Sequence, residues 1–214
     1  MQRGTDLRFA KDEGRLRAFV RPVKPWLRSQ LRQGHRIIIE GTQGFGLSLL
    51  HSEHYPYVTS RDTTAATFVA EAGLSPLDVD EVALVIRAFP IRVGGASGEL
   101  AREIQWETVT KESGSLTPLV EKTSVTNKIR RVARFASDVV HHAIEVNRPS
   151  LICLNHLDYV DVNSRHGELT PAVKEFILWV EDEIKQRIDY LGLGPESLIA
   201  RPATVRHLEA SIAV

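Results

Sequence analysis

The chain has 214 residues and 43% apolar side chains, which is enough for one domain with a full core. Its 27 basic and 27 acidic residues balance to a net charge of zero, which argues against nucleic acid or an anionic membrane as a general partner. The single cysteine, Cys153, excludes an internal disulfide, and no run reaches the ~18 apolar residues that a membrane span needs. The first residues lack the apolar core of a signal peptide, so we expect a cytoplasmic protein.

The first half of the chain is predicted to contain two helices and two strands. Residues 1–24 are charged and irregular, and we separate them from a domain over residues 25–214. A helix is expected from Pro25 to Gly34, because proline suits a first turn and glycine a helix end. The other expected elements are a buried strand at 36–40, a helix at 63–73 capped by Asp62, and a buried strand at 81–89.

The second half alternates helices with apolar strands. Helices are expected at 99–109 and at 134–146, the latter with an apolar face of Phe135, Val139 and Ala143, and residues 111–128 are polar and turn-rich. The remaining expected elements are a buried strand at 150–154, a helix at 170–192 that starts at Thr170 and Pro171 and stops at Gly192, and a strand at 197–200. This alternation predicts an α/β fold with a mostly parallel sheet flanked by helices, and ligands at the carboxyl ends of the strands.

Two stretches near the first predicted strand are candidate ligand loops. The stretch "EGTQGFG" contains Gly41, Gly44 and Gly46 around Gln43, which is compatible with a plain tight turn or with backbone and amide groups that approach a ligand. The stretch "YPYVTSRDTTA" places hydroxyls before a helix, where they either cap the helix or hold a phosphate. The residues alone leave both alternatives open at each stretch.

The stretch "TSVTNKIRRVAR" is a candidate anion site. Lys128, Arg130, Arg131 and Arg134 crowd a turn next to hydroxyls and Asn127. A charge cluster is usually a solvated face, but this combination also suits a carboxylate or phosphate, which an arginine fork can bind with two hydrogen bonds.

Other active-site signatures are weak or absent in the sequence. Histidine and glutamate recur at metal-like spacings in "HSEH" at 51–54 and "HHAIE" at 141–145, but neither stretch supplies three converging ligands, so we assign no metal site. We find no GxSxG motif of a serine hydrolase and no GxxxxGK[ST] phosphate loop.

Taken together, four segments resemble the adenylosuccinate synthetase family. They are "EGTQGFGLSLLHSEHYPYVTSRDTTA", "FPIRVGG", "VTNKIRRV" and "LNHLDYVD", in that order, and they are most similar to its short branch of archaeal-type enzymes and phage 2-aminoadenylosuccinate synthetases. The resemblance implies a partial fold of this family and a homodimeric ligase of purine biosynthesis. Such a ligase phosphorylates the 6-oxygen of a purine monophosphate with GTP or ATP, and aspartate then displaces that phosphate, with Mg²⁺ assisting.

The resemblance also implies roles for individual residues. Gln43 would contact the purine nucleotide near its reacting edge, as a catalytic and binding residue, Thr59 would hold the 5′-phosphate, and Val93 would lie near the ribose. A loop over 124–130 would close on aspartate, and the donor base would be read after the third predicted strand. The loop members are Ser124, Val125, Thr126, Asn127, Lys128 and Arg130, and the donor residues are Arg130, His156, Leu157 and Asp158.

The sequence also departs from the family pattern. Lys128, Asn127 and Val125 stand where the family usually has arginine, glycine and threonine, His156 replaces the lysine of "TKLD", and Arg201 replaces the glycine of "TGP". No counterpart of the GDEGKGK loop is present, and we expect a stretch of about a hundred residues or more to be missing with it, together with the ligands for Mg²⁺. Its absence is expected to leave a sheet edge or apolar face exposed.

Three functional hypotheses follow. The chain is one part of a purine ligase, inactive alone and completed by an N-terminal chain; it is a non-catalytic purine-nucleotide-binding module or a remnant; or it is an intact enzyme that borrows the missing groups within a homo-oligomer. The last is the least favoured, because identical chains cannot supply a loop that neither contains. The sequence does not decide between IMP and a guanine nucleotide as acceptor, or between GTP and ATP as donor.

Overall fold

A four-stranded sheet forms the centre of the computed structural model, which describes residues 9–201. The strands occur in the order β1–β5–β6–β7, where β1, β5 and β6 run parallel and β7 runs antiparallel to β6. Their bounds are Ala83–Arg87 for β1, Leu151–Asn155 for β5, Tyr190–Gly194 for β6 and Ser197–Ala200 for β7. The predicted α/β class with a mostly parallel sheet is confirmed, as are the strands at 150–154 and 197–200.

A small antiparallel sheet lies beside the first and was not predicted. Its order is β2–β4–β3, and the strands are Ile91–Arg92 for β2, Glu103–Ile104 for β3 and Arg131–Ala133 for β4. Strands of two or three residues are too short to show a period of two in the sequence. The helix predicted at 99–109 is therefore wrong in its first part, because β3 occupies that part and the helix begins only at Trp106.

Five α-helices within residues 9–201 accompany the sheets. They are α1 at Val23–Arg32, α2 at Ala65–Ala72, α3 at Trp106–Glu112, α4 at Asp138–Asn147 and α5 at Pro171–Ile184. The longest, α5, buries Val173, Ile177, Val180 and Ile184 on one stripe, and these pack into the core with Leu154 and other sheet residues. No helix within residues 9–201 has the length and hydropathy that a membrane crossing requires.

Several predicted helix boundaries need correction. The predicted end of α5 at Gly192 is wrong, because the helix stops at Ile184, Lys185 adopts a left-handed conformation, and Gly192 lies within β6. The helix predicted at 134–146 begins only at Asp138, and Val139, which was assigned to its apolar face, is 57% exposed. The first helix runs from Val23 to Arg32, two residues ahead of the predicted start and end.

The prediction of a buried strand at 36–40 is wrong. These residues form no strand in the structure, and Ile38 is 93% exposed. An apolar run becomes a strand only where another strand offers hydrogen bonds, and within the described residues none pairs with it. Strand β1 confirms the strand predicted at 81–89 but not its full burial, because its outer edge is unpaired among the described residues and Val85 is 58% exposed.

Candidate functional site

The loop segments around Gln43 and around Thr59 meet in the structure. The Thr59 hydroxyl donates to Gln43 Oε1 at 3.1 Å and to the Leu47 carbonyl at 3.3 Å. Backbone bonds fix the same pair of segments, since Thr59 N donates to the Leu47 carbonyl and Leu49 N to the Ser60 carbonyl. Gln43 adopts a left-handed backbone with φ of 66°, and both Gln43 and Thr59 are exposed. The arrangement presents an amide and a hydroxyl side by side to solvent, within reach of a polar ligand.

The N-terminus of α2 follows Thr59 by a few residues, at Ala65, and is held by Asp62. The predicted cap is wrong in detail, because Thr64 caps α2 and Asp62 instead accepts hydrogen bonds from the backbone of Thr63 and Thr64 and from the hydroxyls of Thr64 and Thr67. Burial favours a higher pKa for Asp62, but these hydrogen bonds outweigh it and hold the pKa below the usual value. The Thr64 hydroxyl is therefore used to build the helix start, which favours the capping alternative over direct phosphate contact by Thr64, whereas Oγ1 of Thr63 is buried without a hydrogen-bond partner among the described residues.

The glycine-rich loop is packed against two helices. A Cβ on Gly41 would collide with the Phe68 ring of α2, which explains glycine at this position. Phe45 stacks on His51 at a centroid distance of 5.3 Å and meets His142 of α4 edge-on at 5.1 Å. These two histidines contact an aromatic ring, and the described residues contain no group of three or more His, Cys, Asp or Glu side chains that could hold a metal.

The Val93 segment follows β2 and touches the neighbouring loops. The Ser97 hydroxyl donates to the Val93 carbonyl at 2.6 Å, and Arg131 donates to the Gly98 carbonyl at 2.7 Å. A Cβ on Gly94 would lie 2.9 Å from the Ile129 carbonyl oxygen, and one on Gly98 would lie 2.9 Å from His54 Cβ. The segment therefore bridges the loop at 124–130 and the segment that leads to Thr59.

The loop at 124–130 is a tight turn built by local hydrogen bonds. Thr123 N donates to the Lys128 carbonyl at 2.9 Å, and the hydroxyls of Thr123 and Thr126 lie 2.6 Å apart. Asn127 has φ of 52°, a left-handed conformation that glycine and asparagine tolerate best. Ser124, Val125, Thr126, Asn127 and Lys128 are all exposed, which leaves their side chains free to meet a ligand.

Arg130 lies where this loop joins the body of the protein. Its backbone N–H donates to the Glu121 carbonyl at 2.9 Å, and its carbonyl accepts from the indole N–H of Trp106 at 2.6 Å. Its Nε makes one long contact of 3.4 Å to the Lys122 carbonyl. The backbone is therefore fixed on both sides while most of the guanidinium's donors stay available.

The residues after β5 form a buried turn. His156 has φ of 64°, Leu157 is fully buried, and Asp158 is 2% exposed. Oδ2 of Asp158 accepts from two nitrogens of Arg165, Nε and Nη2, each at 2.8 Å. Oδ1 of Asp158 is buried and has no hydrogen-bond partner, which is costly for a carboxylate oxygen unless a ligand supplies a donor.

A polar network next to this turn was not predicted. Arg87 forms an ion pair with Glu121, and the Tyr159 hydroxyl donates to the same Glu121 oxygen at 3.2 Å. Burial, followed by the nearby Glu121 carboxylate, raises the pKa of Tyr159 to about 12. The rings of His156 and Tyr159 lie 5.0 Å apart, and burial together with the positive charge of Arg87 lowers the pKa of His156. The neutral form of the His156 side chain is thus favoured, whereas a lysine side chain would ordinarily be charged.

The structure therefore brings some of the predicted site residues together. Gln43 contacts Thr59, the Val93 segment contacts the 124–130 loop, and Asp158 lies at the carboxyl end of a parallel strand. Arg165 and Glu121 were missed because their partners are distant in sequence, whereas Arg87 ends a strand and could have been found by the strand-end rule. Arg201, which replaces the glycine of the family's "TGP" turn, forms an ion pair with Glu181. The residues that follow Arg201 in that turn lie outside the described residues.

Comparisons with known proteins agree with this architecture. The family model for adenylosuccinate synthetase matches residues 7–166. The adenylosuccinate synthetase of Methanocaldococcus jannaschii is 37% identical over 194 residues, which are 89% of this chain and 54% of that protein. That of Pyrococcus horikoshii is 34% identical over 191 residues, 87% of this chain and 54% of that protein. The chain thus spans about half the length of the curated relatives it matches.

Two solved structures share the fold. The succinoaminodeoxyadenylate synthetase of cyanophage S-2L, bound to dGMP and to dATP as an energy donor, superposes with a TM-score of 0.71 and 29% identity, covering 94% of this chain and 57% of that one. The fully ligated adenylosuccinate synthetase of Plasmodium falciparum gives a TM-score of 0.74 over 87% of this chain and 55% of that one. Its identity is 19%, so it supports the fold alone.

Proposed function

Because this chain belongs to the adenylosuccinate synthetase family, we propose that it is the substrate-binding part of a ligase that joins L-aspartate to the 6-position of a purine monophosphate. The acceptor would be IMP or a guanine nucleotide, and GTP or ATP would be the phosphate donor. The hydrogen bond between Thr59 and Gln43 carries the proposal, because it builds a polar site from two segments that are sixteen residues apart. We further propose a homo-oligomer that works in the cytoplasm.

In this proposal Gln43 and Thr59 bind the acceptor nucleotide. The Gln43 amide offers both a donor and an acceptor, which suits the 6-oxygen edge of a purine. The Thr59 hydroxyl would turn from Gln43 Oε1 to donate its one hydrogen to a phosphate oxygen. The left-handed backbone of Gln43 and the bonds between Leu47 and Thr59 hold the two groups before the ligand arrives. Val93 contributes by its backbone near the ribose.

Aspartate is assigned to the loop at 124–130. Arg130 provides a fork for a carboxylate, Thr126 provides a hydroxyl, and Lys128 provides a point charge. Closure of the loop requires a fixed point of attachment to the body of the protein. The hydrogen bond from Trp106 fixes the Arg130 carbonyl, and the hydrogen bond to Glu121 fixes the Arg130 N–H. Ser124, Val125 and Asn127 complete the turn.

The donor base is assigned to His156, Leu157 and Asp158, with Arg130 reaching the donor side as well. The support is the unpartnered Oδ1 of Asp158, a buried acceptor at the carboxyl end of β5. A purine amine that donates to this oxygen would remove the cost of leaving it unpaired.

Turnover would require groups that these residues do not provide. The sequence contains no GDEGKGK loop, and the described residues hold no cluster able to bind a metal, so we assign no residue to Mg²⁺ and no step to it. We propose that a chain carrying this loop completes the ligase and docks at the outer edge of β1. That edge is unpaired among the described residues, and Val85 within it is exposed.

Binding of the acceptor is the first test. Calorimetric titration with IMP and with dGMP should give saturable binding, and Gln43→Ala or Thr59→Ala should weaken it about tenfold, as expected for losing a hydrogen bond to a charged or polar ligand. Thr117→Ala is the matched control, because Thr117 is an exposed threonine of another loop. Flat titrations with both nucleotides and with aspartate would refute the proposed site and leave a non-functional remnant.

Complementation is the second test. The chain alone should show no aspartate-dependent phosphate release, and co-expression with a chain that contains GDEGKGK should restore it. Val85→Lys on β1 should prevent this, whereas Leu198→Lys on β7 should not, since the two residues are 58% and 62% exposed on opposite edges of one sheet. Nucleotide binding without a complex or turnover would instead support the non-catalytic binding module.

A further inference from the structure

The number of free acceptor atoms at Asp158 bears on the identity of the donor base. A carboxylate has two oxygens and about four lone-pair sites. Both nitrogens of the Arg165 fork point at the same oxygen, Oδ2, at 2.8 Å each, so the acceptor capacity of this oxygen is used within the protein. Oδ1 is buried without a partner. A ligand therefore meets one available acceptor atom at this position instead of two.

Adenine and guanine differ in the number of adjacent donors that they present. Guanine carries N1–H and the N2 amine next to each other, and a carboxylate with two free oxygens matches this pair. Adenine carries one exocyclic amine, N6, beside ring nitrogens that only accept. One free oxygen pairs with the amine of adenine, which is the donor group of that edge, whereas guanine would leave a buried N–H unpaired or share one oxygen between two donors.

The turn that carries Arg165 contains a second unpartnered group. The hydroxyl of Ser164 is fully buried and has no hydrogen-bond partner. A hydroxyl can donate, and the ring nitrogens beside the adenine amine need a donor. One of these unpartnered atoms is a pure acceptor and the other is able to donate, and these are the two kinds of group that pair with adenine.

On the basis of the proposed function, we infer that the donor nucleotide carries adenine, and that Arg165 sets this preference by occupying Oδ2 of Asp158. Arg165 is a positioning residue in this scheme, because it acts on the base through the carboxylate. Its side chain is 38% exposed, so it can be replaced without opening the core.

The test compares three triphosphates on the full chain by ligand-observed NMR, which registers millimolar affinities. We expect ATP to bind about tenfold more tightly than GTP, the size of one hydrogen bond lost on binding. ITP, which lacks the 2-amine, should bind within about twofold of GTP, because one oxygen gains little from a second donor. A site with two free oxygens would instead bind GTP about tenfold more tightly than ITP.

A substitution tests the role of Arg165 directly. Arg165→Gln should free Oδ2 of Asp158 to accept from the base. The ratio of the affinity for ATP to the affinity for GTP should therefore fall about threefold or more. Arg134→Gln is the control, since Arg134 is equally exposed and pairs with Glu112 instead. If Arg165→Gln does not fold, as judged by circular dichroism, the comparison of ITP with GTP on the unmodified chain still decides.

The possible failures are distinguishable. GTP binding as tightly as ATP would overturn the adenine preference and leave the donor site standing. An unchanged ratio of ATP affinity to GTP affinity in a folded Arg165→Gln variant would overturn the role of Arg165. No binding of any of the three triphosphates would overturn the donor site itself, and with it both inferences, whereas IMP binding at Gln43 would be unaffected.

Discussion

Replacing Trp106 by phenylalanine should loosen the loop at 124–130 at Arg130, where the loop joins the body of the protein. The Trp106 side chain is 6% exposed, and its indole N–H donates to the Arg130 carbonyl at 2.6 Å. Phenylalanine keeps an aromatic ring in the core but removes the donor, so the carbonyl loses its partner in a part-buried position. Leaving such a group unpaired costs about 1–3 kcal/mol, and the smaller ring adds roughly 1 kcal/mol of lost packing.

We therefore expect Trp106→Phe to lower the free energy of unfolding by about 2–4 kcal/mol in urea, with an unchanged m-value. Trp179→Phe is the matched control. Trp179 packs edge-on against Phe135, and its indole N–H forms no hydrogen bond to the described residues, so only the packing loss of roughly 1 kcal/mol applies.

Hydrogen exchange separates a loop effect from a general loss of stability. The amide of Arg130 donates to the Glu121 carbonyl and should exchange faster in Trp106→Phe than in Trp179→Phe at equal overall stability. Aspartate binding should weaken in parallel in the first variant alone. Equal destabilisation by both substitutions, with equal protection of the Arg130 amide, would refute the argument that the indole bond anchors the loop.

Three further predictions concern single positions. Asn127→Gly should preserve aspartate binding, whereas Asn127→Val should destabilise the loop by roughly 1–2 kcal/mol, measured by urea unfolding, because φ of 52° strains a β-branched residue. The folded-state pKa of His156 lies below its unfolded value, so the unfolded chain binds the proton more readily and stability should fall as pH drops below about 6.5. His156→Asn should flatten that slope in thermal melts at pH 5–7, and an unchanged slope would contradict it. Gly192→Ala should displace the Asn155 side chain, since the new Cβ would lie 2.3 Å from Asn155 Oδ1, and triphosphate titration should show weaker donor binding.

The parts of the fold that could be predicted from the sequence are those specified by neighbouring residues. The start of α5 follows from Thr170, whose side chain accepts from Val173 N, and from Pro171 in the first turn. Strand β5 is a continuous apolar run with Cys153 and Leu154 buried, as expected for a strand covered on both faces. In both cases the deciding interactions lie within a few positions of one another.

The wrong predictions share a dependence on distant residues. The apolar run at 36–40 has the composition of a buried strand, but a strand forms only against a partner. Gly192 has the appearance of a helix stop, yet it is required because Asn155, on the adjacent strand, fills the space that a Cβ would take. A single sequence shows neither the absence of the first partner nor the presence of the second.

The candidate site depends on both kinds of information. Motif order predicts Gln43, Thr59 and Asp158 as site residues, which stays a prediction, and it does not indicate the groups that hold them. Glu121 connects two proposed subsites, because its carbonyl accepts from Arg130 of the aspartate loop while its carboxylate accepts from Tyr159 beside the donor turn. Thr59 has a separate support in its bonds to Leu47, and Gln43 is held through its bond to Thr59. The proposed acceptor site can therefore be intact when the other two are disturbed, whereas the proposed aspartate loop and donor turn share one anchor and should respond together to any change at Glu121.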